Sequence, residues 1–271
     1  MGLTAELVRS QPQRSRGTAC RVVFLHGFTG SAASWSDAVT ALGDCVIATV
    51  PDLPGHHGAP LPSRLGREGF DAAIDALAAQ LTSPSVVVGY SQGARLALAL
   101  AIRHPAKVAR LVLESGTAGL VRHRDRALRQ AEDEARARIL ETQGVEAFIS
   151  YWEQLPLFAG IVRTPALDAL RRSHTAAGLA GALRCLGLGV QPSFWAQLSS
   201  VCVPTLLITG ARDAKFTALA RKMAVELPLA WHVTVPNSGH AVHLEAPQQW
   251  AAEVRAFVSA PFTHEHQEIR T

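Results

Sequence analysis

Residues 89–95 read GYSQGAR. The apolar run SVVV (85–88) leads into them, and QGARLALALAIR (92–103) carries on with helical spacing. A serine in the pattern G-x-S-x-G, after a strand and before a helix, reads as a nucleophile elbow. The chain must turn sharply enough there to lift the hydroxyl clear of the sheet. Small residues two before and two after the serine keep that turn free of clashes. Taken without its flanks the pentapeptide is also compatible with an ordinary strand–helix turn.

The flanks extend over the whole chain. Strand-like runs occur at Val22–Leu25, Cys45–Val50, Val86–Val88, Leu111–Leu113, Thr205–Thr209 and His232–Val235. Several are continuously apolar, as parallel strands covered on both faces are. Helical candidates alternate with them at Ser34–Leu42, Gly69–Leu81, Gln92–Arg103, Ala214–Glu226 and Pro247–Val258. This alternation predicts an α/β fold with a doubly wound, mostly parallel sheet. The rhythm stops between about Thr117 and Ser199, where helical periodicity continues without strand signals. We expect core segments at 1–116 and 199–271, with a helical cap at 117–198 over the ligand-binding edge of the sheet. A weak strand or hairpin is expected at Glu6–Arg9, and a polar, frayed tail at Pro261–Thr271.

Composition narrows the partners. The chain has 271 residues, 48% apolar and 18% charged, enough for a sizeable core and against disorder. Only Lys107, Lys215 and Lys222 are lysines among 26 basic residues. Arginine suits carboxylate or phosphate recognition, although an arginine-rich genome would give the same bias. No basic tract with interleaved aromatics suggests nucleic-acid binding. Cys20, Cys45, Cys185 and Cys202 show no zinc or disulfide spacing. The first residues lack a secretory apolar core, and no run is long enough to span a membrane. The expected protein is soluble and cytoplasmic; the sequence leaves its oligomeric state open.

A serine hydroxyl needs a histidine to take its proton, and that histidine needs a carboxylate to fix its tautomer. For this kind of elbow the chain order is serine, acid, histidine. LLITGARD puts Asp213, and VTVPNSGH puts His240, just past late strands, on the same sheet edge as Ser91. His243 is the rival base, and Glu114 and Asp52 are rival acids. Oxyanion donors are expected in the loop His26-Gly27-Phe28 and just after the serine: the backbone N–H groups of Phe28 and Gln92. Arg95 lies one helical turn past Ser91, so the two side chains share a face.

HGF, DLPGH, G-x-S-x-G, GARD and SGH, in this order, resemble the α/β-hydrolase fold over nearly the whole chain. SQGARLALALA, GLVRHRDRALRQ, YWEQLPLF, LRRS and above all LRCLGLGVQPSFW are similar to the 2-succinyl-6-hydroxy-2,4-cyclohexadiene-1-carboxylate synthases of the menaquinone pathway. That resemblance implies a lyase acting on a small tricarboxylate without metal, nucleotide or redox cofactor. It implies substrate contacts from Tyr90, Arg95, Arg129, Trp152 and Arg172, with Arg171 as the alternative to Arg172. Arg129 could instead pair with Asp133 on its own helix. The chain departs from the family pattern in the elbow, at Gln92 and Ala94, and at His57 and His174, where glycine and asparagine are usual. A carboxylesterase or C–C bond hydrolase using Ser91 as covalent nucleophile is the competing reading, and a non-enzymatic binder of the same fold the third.

Overall fold

The computed structural model describes residues 5–6 and 19–260. In chain order the elements are β1 (Ala5–Glu6), β2 (Cys20–Leu25), α1 (Ser36–Leu42), β3 (Val46–Pro51), α2 (Gly66–Gln80), β4 (Ser85–Tyr90) and α3 (Gln92–Arg103). They continue with β5 (Val108–Glu114), α4 (His123–Trp152), α5 (Pro165–Arg172), α6 (Ala176–Leu186) and β6 (Thr205–Gly210). The chain then forms α7 (Ala214–Glu226), β7 (Ala230–Val235), α8 (Val242–Glu245) and α9 (Pro247–Ser259).

The sheet runs β1-β3-β2-β4-β5-β6-β7, with β1 antiparallel and every other pairing parallel. β4 (SVVVGY) and β6 (TLLITG) are buried at every position, which explains their unbroken apolar character. Alternate side chains feed two cores. Val23, Leu25, Val87, Leu111, Leu113 and Leu207 pack against α2, α3 and α7. Val22, Phe24, Val86, Val88, Val112 and Ile208 pack against α1 and α9, around Trp35 and Trp250. Each such side chain contributes about 1.5–3 kcal/mol of hydrophobic stabilisation.

Helices α3 and α7 match the sequence expectation residue for residue. β5 begins three residues earlier than its apolar run, because Arg110 is accommodated by hydrogen bonds to the carbonyls of Phe257 and Ala260 at the end of α9. The strand expected at Glu6–Arg9 shares only Glu6 with the observed Ala5–Glu6; residues 7–9 and the Pro261–Thr271 tail lie outside the described residues.

Between β5 and β6 the described chain is helical, as the break in rhythm suggests. α4, interrupted at Gly144, packs on α6 through Ala137, Leu140, Phe148 and Ile149 against Leu179, Ala180 and Leu183. Arg184 fastens the same two helices by paired hydrogen bonds to Glu134 at 2.8 and 2.9 Å. α6 also seats on the core. A Cβ at Gly55 would lie 2.3 Å from the Gly178 carbonyl oxygen, and one at Gly178 would lie 2.4 Å from that of Gly55. Main chain therefore touches main chain where cap meets core.

Candidate active site

β4 ends at Tyr90, and the next residue, Ser91, has φ 51° and ψ −105°. This is a strained backbone for a residue with a side chain, and it turns the hydroxyl out of the sheet. The strain is held by a 2.8 Å bond from Ser91 N–H to the Glu114 carbonyl and by the start of α3. Gly93 makes the turn possible: a Cβ there would lie 1.9 Å from the Leu25 carbonyl oxygen. Gly89 is constrained in the same way, with a Cβ 2.4 Å from the Gly93 carbonyl.

Asp213 and His240 arrive from the loops after β6 and β7. His240 Nε2 is 3.0 Å from Ser91 Oγ, and His240 Nδ1 is 2.6 Å from Asp213 Oδ2. The imidazole is almost fully buried, so this pair is shielded from water. The second Asp213 oxygen accepts the Phe216 N–H at 3.2 Å, fixing the carboxylate at the N-terminus of α7. With the carboxylate on Nδ1–H, Nε2 is left as acceptor towards the serine hydroxyl. The rivals are accounted for separately. His243 donates from Nδ1 to Glu114 at 2.8 Å and stacks on Trp35, so these two groups bond each other rather than Ser91. Asp52 accepts the Ala32 N–H at 2.7 Å.

The oxyanion loop is fixed by histidines. His26 donates from Nδ1 to the Gly27 carbonyl at 2.8 Å, and Gly30 N–H donates to the same oxygen at 3.0 Å. That carbonyl belongs to the peptide whose N–H is Phe28's. Because the peptide is planar and trans, holding its oxygen aims the N–H the opposite way. His26 Nε2 accepts the Leu53 N–H at 2.9 Å, so the ring is neutral, and burial pulls its pKa down to about 4. Among the described residues neither Phe28 N–H nor Gln92 N–H has a protein acceptor. A negatively charged oxygen above Ser91 is a suitable partner for both.

An aromatic wall closes one side. Phe28 meets Trp152 edge-on at 5.3 Å, Trp152 contacts Phe158 at 5.4 Å, and Phe158 reaches the His240 ring at 6.1 Å. Tyr90 lies beside His240, with ring centroids 5.4 Å apart, and its phenol has no hydrogen-bond partner among the described residues. Burial, followed by the nearby Glu114, holds that phenol protonated well above its ordinary range.

The arginines sort into two groups. Arg95 is only 8% exposed and has no carboxylate within ion-pair distance among the described residues. Its guanidinium donates to Gln191 Oε1 and to the Leu186 carbonyl, both at 2.9 Å. Burial, then repulsion from Arg129, lowers its pKa to about 9. Arg129 pairs with Asp133 at 2.8 Å on its own helix, and so stands close to Arg95 without being free. Arg172 is partly exposed and bonds Glu146 at 2.9 Å, with Glu153 and Asp168 also near. Arg171 is the buried member of the pair; it donates to Glu153 at 3.0 Å and acts electrostatically on the Tyr90 phenol.

Two further residues of the site carry no signal in the sequence. Gln191 orients Arg95 by a 2.9 Å hydrogen bond, and nothing in the sequence spacing assigns it that contact. Glu245 accepts Gly239 N–H at 2.7 Å and Ala241 N–H at 3.2 Å, clamping the backbone on both sides of His240. A carboxylate five residues after the histidine gives no pattern that reveals this. Of the two arginines the sequence leaves open, Arg171 is the one that the packing of α5 buries.

Comparison with known proteins identifies the family. Residues 22–254 match the model of the alpha/beta hydrolase family. The chain is 36% identical over 232 residues to 2-succinyl-6-hydroxy-2,4-cyclohexadiene-1-carboxylate synthase of Escherichia coli O1:K1, covering 83% of this chain and 88% of that protein. It is 36% identical over 248 residues to a Bacillus subtilis protein provisionally given the same name, covering 88% and 90%. The structure of MenH from S. aureus superposes with a TM-score of 0.86 at 29% identity, over 94% of this chain and 97% of that one. The chain belongs to the alpha/beta hydrolase family and, within it, to the 2-succinyl-6-hydroxy-2,4-cyclohexadiene-1-carboxylate synthases.

Proposed function

We propose that this chain is a carbon–oxygen lyase of menaquinone biosynthesis. It eliminates pyruvate from 2-succinyl-5-enolpyruvyl-6-hydroxy-3-cyclohexene-1-carboxylate to give 2-succinyl-6-hydroxy-2,4-cyclohexadiene-1-carboxylate. The relatives' names support the assignment. The observation that carries it is the buried Arg95 guanidinium, one helical turn from Ser91 and held only by neutral acceptors. A buried cation with no carboxylate bonded to it is costly; Asp133 acts on Arg95 but is itself bonded by Arg129 and Arg136, so a carboxylate-bearing substrate supplies the direct counter-charge. A neutral ester would not.

In this reading His240 takes the Ser91 proton as Ser91 Oγ removes the proton α to the succinyl ketone. The C–H electron pair becomes an enolate whose oxygen is held by Phe28 N–H and Gln92 N–H. Two such donors supply several kcal/mol, about 3–4 for one. The enolate then expels the enolpyruvyl oxygen, forming the ring double bond; pyruvate leaves after taking up a proton. Asp213 stabilises the transient imidazolium. Arg95 binds a substrate carboxylate, with Arg129 and the buried Arg171, each already paired with an acidic side chain of this chain, adding positive potential, while Trp152 and Tyr90 wall the ring. No metal, nucleotide or redox cofactor enters the scheme. A cytoplasmic location belongs to the same reading and fits the four unpaired cysteines. Among the described residues no helix is long and apolar enough to cross a membrane.

The test is incubation with the enolpyruvyl cyclohexene substrate, following pyruvate and diene absorbance together. Equal yields of both are expected, and Ser91→Ala abolishes them while substrate still binds. The hydrolase reading rests on the same Ser91–His240 bond. It predicts turnover of a small chromogenic ester through a trapped acyl-serine, and that result without pyruvate release would replace the lyase.

A further inference from the structure

Phe28's neighbour Thr29 is held from both sides by imidazoles. Its N–H donates to His56 Nε2 at 3.3 Å, and its carbonyl accepts from His174 Nε2 at 3.1 Å. His174 sits between α5 and α6, on the cap, and is 5% exposed. Its other nitrogen, Nδ1, accepts the His57 N–H at 3.0 Å. Thr29 (φ 67°) and His57 (φ 46°) both occupy the left-handed region that side chains disfavour, so each needs its neighbours to hold it. One cap imidazole therefore ties two strained core loops together, directly behind an oxyanion donor.

We propose that His174 is a positioning residue that holds the oxyanion loop, and that it does so only while its Nδ1 carries no proton. Proton uptake at Nδ1 turns an acceptor into a donor facing the His57 N–H, and the clip opens. Around it, burial and the His57 ring disfavour the proton, while the bond to the Thr29 carbonyl and the charge of Asp52 favour it. His56 meets its ring edge-on at 5.4 Å, and His26 lies behind His56 at 4.9 Å. The exposed His57 ring is 3.4 Å from Asp52, the one acidic group among the described residues that acts on His174. On the cap side, Arg171 and Arg172 are paired with Glu153 and Glu146. Burial holds His174 itself below the ordinary imidazole range.

The device is separate from the identity of the substrate, because any reaction that develops charge above Ser91 uses the same donors. His174→Ala is expected to lower kcat about ten- to a hundredfold at pH 8 with a smaller change in KM, the scale of a misaimed donor. His174→Asn offers both an acceptor and a donor and is expected to recover most of that loss. Its acid limb then falls with one proton fewer than the wild type's. Phosphonylation of Ser91 by a fluorophosphonate gives a second readout. If wild-type enzyme releases no pyruvate but phosphonylation keeps this His174 dependence, the lyase reading fails and the inference stands. Wild-type kcat in His174→Ala overturns the inference, as does an acid limb in His174→Asn as steep as the wild type's. The Asn variant keeps the test decisive if the Ala variant does not fold.

Discussion

Replacing Gly93 by alanine tests whether the elbow and the oxyanion loop are one mechanical unit. The added methyl would stand 1.9 Å from the Leu25 oxygen, 2.4 Å from the Leu25 carbonyl carbon and 2.7 Å from the His26 oxygen. It is thus about 1.5 Å short of ordinary contact with main-chain atoms, which cannot rotate away. Relief requires α3 to move off the end of β2. Gln92 N–H travels with α3, and Phe28 N–H follows β2, so the two donors are driven apart by about 1 Å. A misplacement of that size costs roughly a hundredfold in rate. Overpacking of this kind costs about 1–3 kcal/mol in stability, a few degrees in Tm for a chain of this length. The assay pairs kcat/KM for pyruvate release with thermal denaturation. A folded Gly93→Ala enzyme with wild-type kcat/KM would refute the argument that α3 and β2 fix the donor spacing.

Other perturbations address separate parts of the molecule. Asp213→Asn is expected to lower kcat by about four orders of magnitude while the melting curve changes little, because the His240 tautomer is no longer enforced; a loss below tenfold would remove Asp213 from the relay. Stability against urea should decline as pH falls from about 6.5 towards about 4. His26 is held at about 4 by burial, so its neutral form stabilises the fold above the ordinary imidazole range, and that contribution, about 3 kcal/mol at most, is lost on acidification. An equal urea midpoint at pH 7.5 and pH 5 would contradict it. Arg171→Ala should destabilise the protein by on the order of 3 kcal/mol, since Glu153 is left buried with weaker partners, whereas Arg172→Ala should cost less than about 1 kcal/mol. Equal melting temperatures for the two variants would show that the buried pair has no special weight.

The parts of the site legible in the sequence are those that main-chain geometry demands. Ser91 announces itself because a sharp strand–helix turn tolerates little but glycine at 89 and 93. Asp213 and His240 follow because parallel strands place the loops after β6 and β7 on the same edge as the elbow. Arg95 follows from helical periodicity alone. The illegible parts are contacts across elements. Nothing local distinguishes Arg171 from Arg172; only the packing of α5 buries one and leaves the other among acidic side chains. Gln191 and Glu245 act through hydrogen bonds to groups far away in sequence or to backbone N–H groups, which leave no periodic trace. Arg129 shows the limit most plainly, since its spacing from Asp133 is legible but the resulting approach to Arg95 depends on how α4 packs.

The mutual contact of Gly55 and Gly178 has an evolutionary consequence. Each residue lies where the other's carbonyl oxygen leaves no space for a methyl group. A lineage therefore cannot relax one of these sites by enlarging the other, and drift at either is blocked unless the loop before α2 and the start of α6 are remodelled together. Chains that have swapped the helical cap for a different one should have lost both glycines at once, and those that kept it should have kept the pair.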